Sequence, residues 1–77
     1  MDISIADFLV HVDENLQAGR MGVLEDWVRA DPCVISASMS RKDSHLMLVA
    51  YNPACTSRAR IMERFAEQGL HAEAVGL

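Results

Sequence analysis

Few residues in this sequence could do soft-metal, redox or acid–base chemistry, and they stand far apart. There are two cysteines, Cys33 and Cys55. As thiolates they could form a soft-metal site or a redox disulfide. The plainer reading is two unrelated, half-buried cysteines acting as small hydrophobes. There are three histidines, His11, His45 and His71. Imidazoles build sites for borderline ions such as Zn(II), Cu(II) or Ni(II); the plainer reading is three solvated side chains at strand ends. Five methionines, Met1, Met21, Met39, Met47 and Met62, first suggest Cu(I). All but Met1 fall at helix or strand positions that read as core filling. No Ser/His/Asp grouping, carboxylate pair or Gly-rich phosphate cradle is present, so no enzyme reading survives.

The elements that must position these residues belong to one domain, 1–77, since 77 residues cannot build two cores. Hydrophobic residues are 51%, which suits a globular chain. A net charge of −4 argues against nucleic acid, which needs a basic stripe. The longest apolar run, Leu46 to Tyr51, is far short of a membrane span. The start, Met1-Asp2-Ile3-Ser4, has no basic or apolar leader pattern, so the expected location is cytoplasmic, with reduced cysteines. A domain this small has a thin stability margin, and a partner or dimer contact is a common remedy.

Phe8-Leu9-Val10-His11-Val12 predicts a first strand, ended by Asp13-Glu14-Asn15. Met21, Leu24, Trp27 and Val28 have helical spacing, with Gly19 and Gly22 weakening the start and Asp31-Pro32 forcing the stop. Val34 to Ser40 alternates as a strand, and Ser40 to Ser44 is a turn. His45 to Tyr51 is apolar on both faces, as in a strand at the middle of a sheet. Asn52-Pro53 ends it. Thr56-Ser57 offers a cap for a second helix with Ile61, Met62, Phe65 and Ala66 on its apolar face, closed by Gly69. Leu70 to Leu77 is a last strand. The order β-α-β-β-α-β predicts an α+β, ferredoxin-like sandwich: a four-stranded antiparallel sheet with two helices on one face.

Order and spacing resemble the heavy-metal-associated domain of copper chaperones, mercury-binding proteins and metal-pumping ATPases. The resemblance runs from about Leu9 to Leu77. It rests on Val28, on Cys33-Val34 and Ala37, and on Val49-Ala50-Tyr51-Asn52-Pro53-Ala54, which is similar to the family's V-x-Y-D-P-A. Ser57 and Ile61 follow, then Gly69 to Leu77, similar to its G-Y-x-A-x-x-V-G-L ending. The resemblance implies a metal loop, G-M-x-C-x-x-C, after the first strand. In ungapped register that loop falls on Glu14 to Arg20, and its two cysteine positions are Gln17 and Arg20. Glutamine is a hard, poor ligand and arginine is a fixed cation with no acceptor. The thiolate motif is therefore lost, and Asp13 and Glu14 are free to pair with Arg20.

In this topology Cys33 and Cys55 fall at the end of the sheet away from that loop. His11, His45 and His71 fall at the loop end, with His71 expected opposite His11. Arg58 and Arg60 stand in the first turn of the second helix, where the macrodipole prefers acids. They read as a docking point for an acidic partner or a phosphate, or simply as solvated side chains. If Met47, Val49 and Tyr51 face the helices, then Leu46, Leu48 and Ala50, joined by Leu9 and Ile35, form an apolar patch on the open face, the mark of an interface.

The expected function is a non-catalytic protein-interaction or regulatory module, acting on a protein partner or as a homodimer through that face. The first alternative is metal binding or transport through His11/His45/His71 or Cys33/Cys55; the second is a small-molecule-sensing dimer. No cofactor is called for beyond a weakly held transition metal.

Overall fold

The computed structural model describes residues 4–75; Met1, and the Gly76-Leu77 of the family-like ending, lie outside them. The elements are β1 (Ala6–Val12), α1 (Ala18–Arg29), β2 (Val34–Met39), β3 (Leu46–Tyr51), α2 (Arg58–Glu67) and β4 (Ala72–Val75). All three pairings in the sheet are antiparallel, in the order β2-β3-β1-β4. The doubly apolar β3 is an interior strand, as its sequence predicts. Strand ends differ from the sequence reading by one or two residues, as element ends do.

Alternation sorts the sheet into two faces. Phe8, Val10 and Val12 of β1 and Met47, Val49 and Tyr51 of β3 are buried beneath the helices. Leu24 and Val28 of α1, and Ile61 and Phe65 of α2, each one helical turn apart, close over them. Trp27 meets Phe65 edge-to-face, with ring centroids 6.2 Å apart, and so joins the two helices.

The two helices begin differently. In α2, Ser57 caps the first turn by accepting from the Arg60 N–H at 3.2 Å. The helix ends in a Schellman motif: Gly69 takes φ +76°, its N–H bonds Ala66 O, and the Leu70 N–H reaches back to Phe65 O. In α1, Gln17 stands at the N-cap without a side-chain bond, and no acid occupies the first turn.

Alternation alone misses one feature of β2. Val34 pairs with Tyr51 and Ser36 with Ala50, so Ile35 is an extra residue in a β-bulge. The bulge shifts the phase of the strand. Val34, Ala37 and Met39 all pack toward the core, while Ile35 is left 49% exposed.

Candidate functional site

The two ends of the sheet carry different chemistry. At one end, residues 13–17 lead from β1 into α1. Glu14, Leu16, Gln17, Arg20, Gln68 and Leu70 are among the residues that line a shallow hollow of about 420 Å³ there, polar and apolar in about equal parts. Gln17 and Arg20 are both exposed.

The expected pairing of Asp13 and Glu14 with Arg20 does not form. Histidines take both acids instead: Asp13 bonds His11 Nδ1 at 3.2 Å, and Glu14 bonds His71 Nδ1 at 2.6 Å. The reason is backbone register. Asp13 N–H donates to His71 O, and His71 N–H donates to the Glu14 carboxylate, so the segments after β1 and before β4 are laced together. The side-chain bond to His71 holds the Glu14 carboxyl below its ordinary value, and the same bond raises the His71 imidazole.

The three histidines share this end of the sheet but are not gathered into one ligand set. His11 and His45 stack, with centroids 5.6 Å apart and planes 20° apart. His45 Nδ1 donates to Val12 O at 2.7 Å. His71 does not stand opposite His11, as expected, because His11 pairs with Glu73 and Val12 with Ala72. Among the described residues no group of three His, Cys, Asp or Glu side chains could hold a metal ion.

At the other end, Cys33 enters β2 and Cys55 follows β3. They are joined in a disulfide, with Cα atoms 5.4 Å apart. This corrects the reading of two unrelated, reduced cysteines. Val34 pairs with Tyr51, and Asn52 N–H donates to Cys33 O, so register alone brings the two together. Cys33 is half-buried and Cys55 exposed. Beside them lies a hollow of about 320 Å³, shared with Asp31, Thr56, Arg60, Glu63, Arg64 and Glu67.

Asp31, read from sequence only as part of a helix stop, organises this end. It accepts from Cys33 N–H at 2.9 Å and from Arg64 Nη1 at 2.6 Å. The Cys33 amide first, and then Arg64, hold its carboxyl below the ordinary carboxylate value. The Arg64 guanidinium also lies over the Trp27 ring, 4.7 Å from its centroid. The Asp31-Pro32 spacing marked the turn; nothing local marked the Arg64 partner. Of the two arginines expected to dock a partner, Arg58 packs over Phe8 at 5.1 Å, and Arg60 makes no ion pair among the described residues.

The open sheet face is as expected from alternation. Ser38, Leu48, Leu9 and Val75 are successive cross-strand partners and form one row over all four strands. Leu46 and Ala50 flank Leu48 on β3, with Ile35 exposed at the bulge. Leu48 is 44% exposed.

The same architecture occurs in solved copper-binding domains. A crystal structure of a copper binding domain from HMA7, a P-type ATPase, superposes with a TM-score of 0.79 at 20% identity, over 91% of this chain and 93% of that one. The solution structure of a copper form of CopA from Bacillus subtilis superposes with a TM-score of 0.76 at 23% identity, over the whole of both chains. This chain has their ferredoxin-like fold. No family model matches the sequence. A comparison with curated proteins finds no significant match. Among the described residues no helix is long and apolar enough to cross a membrane.

Proposed function

We propose that this chain is a non-catalytic interaction module of the heavy-metal-associated type. It meets a protein partner through its open sheet face and holds no metal in the segment between β1 and α1. The observation that carries this reading is the apolar row Leu48–Leu9–Val75, with Leu46 and Ala50 beside it, on the side of the sheet that neither helix covers. Two of its neighbours on that face, Asp7 and Glu73, are acidic and exposed. The fitting partner therefore has an apolar centre and a basic rim. The fold likeness to copper-binding domains supports the heavy-metal-associated type. Gln17 and Arg20, with no cysteine between residues 13 and 20, support the absence of a loop metal site.

Two measurements test it. In a Cu(I) titration under reducing conditions, followed by two-dimensional NMR, the amides of residues 13–20 should stay unmoved; saturable shifts there would restore a loop site. Light scattering at high concentration tests the face. A monomer leaves it for a different protein, whereas a dimer broken by Leu48→Glu would make the occupant a second copy and overturn the heterologous partner.

A further inference from the structure

The Cys33–Cys55 pair stands at the end of the sheet opposite the segment where the family resemblance implies metal ligands. We infer that these two cysteines, once reduced, form a soft-metal site of their own, closed when the disulfide forms. The argument is independent of the sheet-face reading.

It begins with placement. The chain has two cysteines, and the fold brings both to one place across a separation of 22 residues. Their backbones are held by register, with Val34 on Tyr51 and Asn52 N–H on Cys33 O, and by Asp31 on the Cys33 N–H. Losing the sulfur–sulfur bond therefore leaves the thiols close together. With Cα atoms 5.4 Å apart, rotation about the Cα–Cβ bonds can open the sulfurs to about 4.6 Å, twice a typical ~2.3 Å metal–thiolate bond.

Next comes the kind of ion. Among the described residues no third metal-ligating side chain joins the pair in a cluster, so the site offers two soft ligands. Thiolate pairs select Cu(I), which is at home with two such ligands in line, over harder ions that need more donors. The resulting bis-thiolate complex carries one negative charge. Arg60, without an ion pair among the described residues, lines the same hollow and can offset it. Asp31, Glu63 and Glu67 share the hollow, with Asp31 paired to Arg64; as hard carboxylates they suit Cu(I) poorly. Cys55 is exposed, which gives reductant and ion a way in.

The chemistry balances. Two equivalents of a thiol reductant give up two electrons and two protons, the Cys33–Cys55 bond breaks, and the reductant leaves as its own disulfide. Cu(I) then displaces the two thiol protons and bonds to both sulfurs. Re-formation of the bond takes a disulfide oxidant: the two protein thiolates pass two electrons to it by exchange, it leaves as two thiolates, and Cu(I) is released, so binding and cross-linking exclude each other.

The test is competition for Cu(I) against a chromophoric chelator, without oxygen. Four samples are compared: reduced protein, oxidised protein, Cys33→Ser and Cys55→Ser. Far-UV circular dichroism of each checks its fold. The reduced protein should take one Cu(I) per chain and show thiolate-to-copper absorption in the ultraviolet. Each serine variant and the oxidised form should bind at least about 100-fold more weakly, because thiolate is what selects the ion. If a serine variant does not fold, the oxidised wild-type chain remains the control. Equal binding by reduced and oxidised protein, or no binding by either, overturns the inference. Binding that instead moves the amides of residues 13–20 overturns this site and the loop assignment together.

Discussion

His71 and Glu14 form a tie whose strength depends on two titrations. His71 is raised above its ordinary 6.5, so its contribution is full below 6.5 and fades as pH climbs through the raised value. Glu14 is lowered below its ordinary 4.5, so its contribution is full above 4.5 and fades as pH falls through the lowered value. The tie is therefore strongest between pH 4.5 and 6.5. Replacing Glu14 by Gln should return the His71 titration, followed by ring-proton NMR, toward 6.5. Asp31 serves a different end of the molecule with the same economy, one carboxylate holding a backbone amide and a guanidinium. Asp31→Ala should cost about 1–3 kcal/mol in chemical denaturation, since it leaves a half-buried donor unpaired.

Helix α1 is the weaker of the two helices by construction. It lacks a side-chain N-cap and first-turn acids, and it carries Gly19 and Gly22. A Cβ added at either glycine would meet nothing within 4 Å, and neither takes a positive φ. Gly22→Ala should therefore stabilise the fold by about 0.5–1 kcal/mol, seen as a higher denaturation midpoint. A fall in stability would mean that the backbone at this position is not ordinary helix. Helix α2, capped by Ser57 and closed at Gly69, offers no such gain, and any residue but glycine at position 69 would be strained.

At the scale of the whole molecule, the disulfide acts on the unfolded chain more than on the folded one. β2 and β3 are already paired, so the cross-link adds little new structure there. It closes a loop across 22 residues of separation, and the chain-entropy account assigns about 3 kcal/mol to such a closure. Reduction should lower stability by about that amount while leaving the far-UV spectrum of the folded state unchanged at low temperature. A loss of the folded spectrum on reduction would show instead that the sheet cannot hold β2 alone.

The sequence by itself determined what local pattern can determine. Phe8 to Val12 and Leu46 to Tyr51 alternate or run apolar as strands do. Leu24 with Val28 and Ile61 with Phe65 fall one helical turn apart, and Ser57, Gly69 and Pro32 mark element ends. Those signals depend on neighbours a few residues away, and they were enough for the βαββαβ order and for the face on which Leu48 lies. Tertiary structure decided which chemistry-bearing side chains meet. Glu14 and His71 are 57 residues apart, and Asp31 and Arg64 are 33. Cys33 and Cys55 meet only because β2 and β3 pair in one register, with a bulge at Ile35 that no simple alternation shows. A strand pattern says which face a residue takes. It does not say which residue of the next strand stands opposite, because that is fixed by loop lengths, bulges and the packing of both helices on the sheet.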